Sequence, residues 1–297
     1  MKKYQLLLLL PVMLMLTACP DPIPDDLVVK RQIDVTVQTS SLLWNFTSYT
    51  PSDMEMPEDA KLLIKAFVYD DNGKLVDTYY DVAEDYGATY SFSAAVAATH
   101  PTIVAFSYCI IGSVSSPEYQ PYVISGENTL ATLAVTRDNS YENIKWLVLG
   151  GCIETLNSTT KQLTLGLEPQ GGVVYYRFKN IHAHDSEASA PDTYTFWHHS
   201  NDRLRISNNR FEYDCSLSTT YSFTEVVKPS DHADYNGVYG ISFMMPGSFK
   251  TDATYDVGST RTYFVEDKSI DVRAGKQYVV DIDCASYSMT FREGTIQ

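Results

Sequence analysis

The stretch AKLLIKAFVYDDNGKLVDTYY, residues 60–80, predicts a β-hairpin. Residues that favour strands run from Leu62 to Tyr69 and again from Lys74 to Tyr80. Between the two runs lies DDNG, in which Asn72 and Gly73 can supply the positive φ angles of a tight primed turn. Two paired strands with an apolar face are stable only when more strands or another layer pack on them. The hairpin therefore implies a larger β structure around it.

Short strand patterns recur along the whole chain. Residues 33–37, IDVTV, alternate apolar and polar side chains, which is typical of a half-buried strand. The 22 tyrosines and 12 phenylalanines are also residue types that favour strands. Many short strands separated by Gly, Pro, Asn and Asp predict an all-β fold of the sandwich type. Further predicted strands span 89–96, 102–111, 129–136, 173–181, 193–198, 219–226, 238–245, 261–266, 276–283 and 287–292.

The strand-rich part of the chain falls into two halves of similar length. A polar run, TLNSTTK at 155–161, separates them. We predict an N-terminal β-sandwich domain over residues 28–158 and a C-terminal β-sandwich domain over residues 159–297. No fixed short period runs through the sequence, which disfavours a solenoid or a propeller.

The first eighteen residues have the character of a signal peptide. Lys2 and Lys3 precede an apolar run over 6–16, and that run is too short to span a bilayer, which takes about 20 apolar residues. The residues LTAC at 16–19 resemble the lipobox of bacterial lipoproteins, in which the cysteine is acylated, for example with palmitate. We expect Cys19 to be the lipidated mature N-terminus. The alternative is an ordinary signal peptide that happens to precede a cysteine.

Residues 19–27 form the expected lipidated tether. Pro20, Pro22 and Pro24 disfavour helix and central strand, and the aspartates between and after them keep the segment hydrated. Acidic residues just after a lipidated cysteine resemble the surface-export signal of some Gram-negative lipoproteins. This predicts a location on the outer face of the outer membrane. A solvated linker that faces the periplasm is the alternative.

Charge and cysteine content limit the function classes. The formal net charge of −15 disfavours nucleic acid as a partner. After the signal peptide, no apolar run of 18 residues follows. Cys109, Cys152, Cys215 and Cys284 allow three disulfide pairings in an oxidising envelope, or they are buried free thiols. Both alternatives stay open.

Histidines offer little support for an enzyme. His182 and His184 would share one face of a strand, whereas His198 and His199 would point to opposite faces. A catalytic zinc site needs about three convergent protein ligands, and the common catalytic motifs do not occur in the sequence. We expect no enzymatic activity, no metal site, and no cofactor apart from the covalent lipid on Cys19.

The overall layout resembles that of fimbrillin-type surface lipoproteins. The resemblance rests on the lipobox and acidic tether, on AKLLIKAFVYDDNGKLV at 60–76, on LTLGLEP at 163–169 leading into VVYY at 173–176, and on IDVRAGKQYVVDI at 270–282. It implies two tandem transthyretin-like, Greek-key β-sandwiches, of which 163–169 opens the second. It also implies a fimbrial anchor or accessory, adhesin-type subunit. The implied partners are other fimbrial subunits, the outer membrane through the lipid anchor, and a host molecule.

The same resemblance implies assembly by strand donation. A sandwich that lacks an edge strand exposes unpaired backbone groups beside an apolar groove. A strand of the next subunit pairs with these backbone groups, and its side chains fill the groove. The candidate donor is the strand at 287–292, with Tyr287, Met289 and Phe291 as pocket-filling side chains; the alternative is a self-paired edge strand. Arg31, after Lys30, is a candidate site for a trypsin-like protease, although a cut there releases too little strand to open a groove. A dibasic pair that protects an edge strand is the alternative.

A glycan-binding surface lipoprotein that partners a polysaccharide uptake system is the second prediction for function. Such modules stack sugars on exposed aromatic side chains, here Trp44, Trp146 and Trp197. The pairs Tyr79-Tyr80 and Tyr175-Tyr176 are further candidates. Aromatic residues in strands are more often core residues, which is the competing interpretation for all of them.

Overall fold

The computed structural model describes residues 29–40, 60–84, 87–138, 148–180, 193–215, 223–227, 238–257, 260–264, 269–283 and 285–294. These residues form twenty-one strands and no α-helix, so the predicted all-β fold class is confirmed. Among the described residues, no helix has the length and apolar character needed to cross a membrane. The strands up to residue 169 are β1 Arg31–Gln38, β2 Ala60–Tyr69, β3 Leu75–Ala83, β4 Thr89–Val96, β5 Thr102–Ser113, β6 Ser116–Tyr119, β7 Tyr122–Ser125, β8 Ala134–Arg137, β9 Gly150–Thr155, β10 Gln162–Gly166 and β11 Glu168–Pro169. The later strands are β12 Gly172–Lys179, β13 Thr193–Asn201, β14 Arg203–Ser207, β15 Arg210–Asp214, β16 Phe223–Val227, β17 Val238–Val257, β18 Thr260–Phe264, β19 Ser269–Val272, β20 Gln277–Asp283 and β21 Ser288–Glu293.

The predicted hairpin is present as β2 and β3, which pair antiparallel. Its turn differs from the expected primed turn, because only Gly73, with a φ of 72°, is left-handed. The Asp70 carboxylate organises the turn instead, since Oδ1 accepts the N–H groups of Asn72 at 2.9 Å and Lys74 at 2.8 Å. An aspartate that bonds to nearby backbone in this way stabilises a turn locally.

The hairpin belongs to a six-stranded sheet in the order β11-β9-β5-β2-β3, with β6 paired to β5. A three-stranded sheet, β10-β1-β4, packs on one face of it. The contact is visible at Tyr79 of β3, whose ring stacks on Phe92 of β4 at a centroid distance of 4.2 Å. The inward side chains of β1, which are at most 1% exposed, are Ile33, Val35 and Val37.

A four-stranded sheet, β15-β14-β8-β7, covers part of the opposite face. Phe106 of β5 lies 5.8 Å from Phe211 of β15, measured between ring centroids. Phe106 is opposite Lys65 on β2, whereas Tyr79 is opposite the next residue, Ala66. Because neighbouring residues of a strand point to opposite faces, the six-stranded sheet is the middle of three layers.

The sheets cross the boundary predicted between residues 158 and 159. β10 pairs in parallel with β1, β11 pairs with β9, and β14 pairs with β8. The segment 163–169, expected to open the second domain, therefore lies in sheets of the first half. One apolar cluster also contains Phe67 and Val135 together with Val173 and Leu204. The number of independently folding domains stays a prediction.

The last sheet has eight strands in the order β16-β13-β17-β12-β20-β21, with β18 and β19 paired to β17. β12 and β20 are parallel neighbours. The run from Tyr278 to Ile282 on β20 is buried throughout, as expected for a strand that is covered on both faces. β21 ends the order of this sheet and forms one of its edges.

Candidate functional site

Several predicted site residues lie outside the residues that the structure describes. These are Cys19, Trp44 and Trp146, together with Cys284. Trp197 is in β13, where its backbone is opposite Thr224 of β16 and Asp252 of β17. The lipidation site and the predicted tryptophan platform therefore stay predictions.

β1 is an interior strand that is paired along both of its edges. All eight of its residues are in antiparallel register with β4, from Arg31 opposite Val96 to Gln38 opposite Thr89. On the other side, the five residues from Asp34 onward pair in parallel with β10. Together with its buried inward side chains, this pairing fixes β1 within its own chain.

Arg31 fastens the beginning of β1 to two loops. Its Nη1 donates to the carbonyl oxygens of Asn157 at 2.7 Å and Thr160 at 3.3 Å, and its Nη2 donates to that of Thr99 at 3.2 Å. A trypsin-like protease that cleaves after Arg31 must withdraw the guanidinium from all three carbonyls. Such a cut would also leave the remainder of β1 in its sheet.

β21, the candidate donor strand, is paired on one side only in the order of its sheet. It runs antiparallel to β20, from Ser288 opposite Asp283 to Glu293 opposite Tyr278. Met289 is 1% exposed, and the ring of Phe291 lies edge-to-face against Phe249 at 6.4 Å. Tyr287 lies in the turn before the strand, with a φ of 50°. The structure thus brings together two of the three candidate donor side chains on one face of an edge strand.

An ionic cluster joins β21 to the interior of its sheet. Asp281 of β20 accepts a hydrogen bond from Arg177 of β12 and lies 3.7 Å from Lys179 Nζ and 3.5 Å from Arg292 Nε of β21. Burial alone would raise the pKa of Asp281, but the bond from Arg177 and the three positive charges hold that pKa below its usual value. Asp281 is therefore a charged link across three strands.

β3 forms an edge of the middle sheet, and two of its backbone N–H groups already bond to carboxylates. Asp77 Oδ1 accepts the N–H of Thr78, and Asp81 Oδ1 accepts the N–H of Val82, each at 2.8 Å. Thr78 and Val82 are an even number of residues apart, so their N–H groups point to the same side of the strand. Carboxylates at these positions hinder pairing with a second chain, which is a common protection of edge strands.

Two clefts open at the rim between the middle sheet and the four-stranded sheet. The first, about 550 Å³ in volume, is bounded mainly by turns. The second, about 620 Å³ in volume, lies on β2, β3 and β5 beside the edge of the sheet. The first is lined by Asn72, Gly73, Thr129, Leu130, Ala131, Arg205, Ile206, Ser207, Asn208 and Glu212. The second is lined by Leu63, Lys65, Thr78, Tyr80, Tyr108, Val114, Ser115, Gln120 and Glu127.

The cysteines of the first half are free thiols. Cys109 and Cys152 are on paired strands but not in register, since Cys152 is opposite Ala105. Burial raises the pKa of Cys109 to about 12. Burial, with the charges of Glu154 and Glu168, raises the pKa of Cys152 to about 11. Both thiols stay protonated at neutral pH and are weak nucleophiles. In the described part of the chain, no cluster of three His, Cys, Asp or Glu side chains could hold a metal ion.

Comparison with solved structures finds several similar proteins. A candidate polysaccharide-binding protein (DUF1812) from Bacteroides thetaiotaomicron is 14% identical, with 90% of this chain and 98% of that chain covered and a TM-score of 0.51. This chain shares its fold. A candidate cell adhesion protein from Bacteroides eggerthii is 14% identical, with 90% and 96% covered and a TM-score of 0.47. The tip fimbrial protein Mfa3 from Porphyromonas gingivalis, in a C-terminally truncated form, is 10% identical, with 89% and 98% covered and a TM-score of 0.48.

At this level of identity, the likeness shows the fold. No protein-family model and no curated protein matches the sequence.

Proposed function

We propose that the chain is a lipid-anchored cell-surface protein that serves as a fimbrial anchor or accessory, adhesin-type subunit and joins its neighbours by β-strand donation. The observation that carries the proposal is the unequal attachment of the two terminal strands. β1 is paired on both edges and fastened by Arg31, whereas β20 is the one described strand that pairs with β21. The fold is shared with a candidate polysaccharide-binding protein. The proposal includes no catalytic activity.

β21 suits strand exchange for physical reasons. A strand at the edge of a sheet offers backbone N–H and C=O groups to a partner, and alternate side chains fill pockets on that partner. Met289 and Phe291 are two residues apart and therefore point to the same face. In the assembled fimbria, β21 would leave β20 and pair with the sheet of a neighbouring subunit.

The N-terminal end suits permanent anchoring. Cleavage after Arg31 is opposed by three hydrogen bonds from its guanidinium and by the pairing of β1 on both sides. An uncut chain keeps Cys19 and its acyl chains. Each buried methylene contributes about 0.8 kcal/mol, so two or three acyl chains hold a protein stably on a membrane. A retained anchor fits a subunit at the base of a fimbria or an accessory subunit better than a released stalk subunit.

The anchor is tested by replacing the lipidated residue. Cys19→Ala is compared with Cys215→Ala, which changes an exposed cysteine far along the chain, in fractionated native cells. We expect Cys19→Ala to leave the membrane pellet and Cys215→Ala to stay in it. Protease added to whole cells then reports on surface exposure, because only a protein on the outer face is digested. A Cys19→Ala protein that stays in the pellet would refute the anchor.

A glycan-binding surface lipoprotein is the second candidate. The candidate polysaccharide-binding protein from Bacteroides thetaiotaomicron, which has the same fold, favours it by its name. Tyr80, which is 58% exposed beside the larger cleft, favours it as well. A binder that works with an uptake system acts as a single chain, whereas a fimbrial subunit enters a high-mass assembly. The oligomeric state in native cells therefore separates the two candidates.

A further inference from the structure

Five side chains share one face of the middle sheet near its β3 edge. Tyr108 is opposite Leu63, and Tyr80 is opposite Lys65, so these four point the same way, as does Thr78 two residues before Tyr80. The four-stranded sheet covers the Tyr108 end of this strip. It leaves the ring of Tyr80 largely in solvent, at 58% exposure.

These side chains form the floor and one wall of the 620 Å³ cleft. Its volume lies within the range of about 300–1,000 Å³ that is usual for small-molecule sites. Leu63 and Tyr108 are buried and make the floor apolar. Lys65, Gln120 and Glu127 place polar groups around it. An apolar floor with a few polar groups at its rim is the typical composition of a ligand site.

The polar groups are held in place without a ligand. Lys65 Nζ lies 2.9 Å from Glu127 Oε1, and the Tyr69 hydroxyl donates to the carbonyl oxygen of Glu127 at 3.0 Å. Gln120 Nε2 donates to the carbonyl oxygen of Tyr122 at 2.6 Å and to the Tyr108 hydroxyl at 3.1 Å. Side chains that are already ordered lose little conformational entropy when a ligand binds.

The charge of the cleft favours a neutral ligand. Lys65, its cation, is paired with Glu127, so an anionic ligand would have to compete for it. The net charge of −15 on the whole chain repels anions as well. A neutral ligand that combines an apolar face with many hydroxyl groups fits both the exposed aromatic ring and the fixed donors and acceptors.

We propose that this cleft binds a neutral sugar unit of a glycan, with one face of the sugar ring on Tyr80 and its hydroxyls hydrogen-bonded to Lys65, Glu127 and Gln120. The proposal rests on the second candidate function, glycan binding, and names its site and ligand. It does not depend on assembly into fimbriae, because all of these residues belong to one chain. It places the aromatic platform at Tyr80, one of the further candidates from the sequence, and not at the tryptophans. The smaller cleft, which has no aromatic side chain in its lining, serves as the internal control.

The test uses the purified full-length protein in a detergent without a sugar headgroup. Maltotriose, mannotriose and lacto-N-tetraose are added at millimolar concentration, and binding is followed by saturation-transfer NMR and titration calorimetry. We expect at least one of these neutral saccharides to bind. Tyr80→Ala should raise its Kd about tenfold or more, and Tyr80→Phe should retain the affinity because the ring is kept.

Glu212→Ala, in the smaller cleft, is the matched control and should leave the Kd unchanged. Tyr80 is exposed, so its replacement should leave the circular dichroism spectrum and the melting temperature unaltered. The proposal is overturned if none of the three saccharides binds. It is equally overturned if the bound saccharide keeps its affinity in Tyr80→Ala. Neither result bears on assembly, which is measured separately.

Discussion

The first and last strands of the described chain differ in how they are held. β1 has β4 on one edge and β10 on the other, and its first residue, Arg31, bonds to three loop carbonyls. Among the described strands, β21 has only β20 beside it, and it lies at the end of the described chain. Both strands bury side chains, but among the described strands β21 is held by one backbone ladder and β1 by two. The backbone pairing of a strand therefore distinguishes a permanently held strand from one that can be exchanged.

A second edge strand sharpens the contrast. β3 also has a partner on one side only in the sheet order, yet Asp77 and Asp81 bond to its backbone N–H groups. These carboxylates therefore hinder β-sheet pairing between the edge at β3 and another chain. Edge position alone does not make a strand available for exchange, and the side chains beside its backbone decide whether it can accept a partner.

The largest effect is expected from a charge inside β1. Val35→Asp places a carboxylate at a position that is 1% exposed and should lower the free energy of unfolding by about 4 kcal/mol or more. Gln32→Asp, on the exposed side of the same strand, is the control and should change it by about 0.5 kcal/mol at most. Urea denaturation of both variants is the measurement. Equal losses would mean that β1 is not locked in the core.

Shortening a buried side chain of β21 should lower the free energy of unfolding by less than the charge inside β1 does. Met289→Ala removes a side chain that is 1% exposed and should lower the free energy of unfolding by about 3 kcal/mol. Thr290→Ala, the exposed neighbour, should have little effect. Thermal melts followed by circular dichroism compare the two. If Met289→Ala were as stable as Thr290→Ala, the face of β21 would not be packed as described.

The three hydrogen bonds of the Arg31 guanidinium should contribute a smaller part of the free energy of unfolding. Arg31→Ala removes the hydrogen bonds to Thr99, Asn157 and Thr160, which are partly exposed to solvent, and should cost about 1–2 kcal/mol. Lys30→Ala, whose side chain is exposed, is the matched control. Urea denaturation reports the difference. If Arg31→Ala lowered the free energy of unfolding no more than Lys30→Ala, the hydrogen bonds of Arg31 would not stabilise the position of β1.

The link between β20 and β21 should depend on pH. Because the pKa of Asp281 is lowered in the folded protein, its ionised form stabilises the fold above the ordinary aspartate pKa of about 4. This contribution is lost as the pH falls through the lowered folded pKa. Asp281→Asn should therefore be less stable than the natural protein by about 1 kcal/mol at neutral pH. Urea denaturation across the acidic range should show the gap closing, and a gap that widens in acid would contradict this account.

Local sequence patterns predicted many of the strands well. The expected strand at 89–96 coincides with β4, and the IDVTV alternation lies within β1. The strand expected at 129–136 begins only at Ala134, because Thr129 accepts the N–H groups of Thr132 and Leu133 in a turn. The β14–β15 hairpin was missed. Its signal was present in Asn208 and Asn209, whose φ angles of 49° and 56° are those of a primed two-residue turn.

Long-range pairing could not be predicted from local patterns. The parallel register of β1 with β10, for example Asp34 opposite Gln162, depends on which strand fits beside another in the final core. The same is true of the four-stranded sheet, which takes β7 and β8 from one half and β14 and β15 from the other. Tyr80 was one of the further aromatic candidates from the sequence, but the cleft beside it could not be predicted. In sequence, Tyr79 and Tyr80 are equivalent neighbours, and only the layer packed on each face makes one partly buried against the core and the other exposed.

The most direct test of strand donation is an electrophoretic gel of the tagged protein from its native cells, run with and without boiling. A donated strand is held by a backbone ladder and a buried apolar face, so the complex should survive detergent and fail on heating. We expect the natural protein to show a high-mass species that disappears on boiling. The chain that lacks residues 288–297 should reach the membrane and run as a monomer in both lanes. A natural protein that is monomeric without boiling, or a truncated protein that forms the same heat-sensitive species, would contradict assembly through β21.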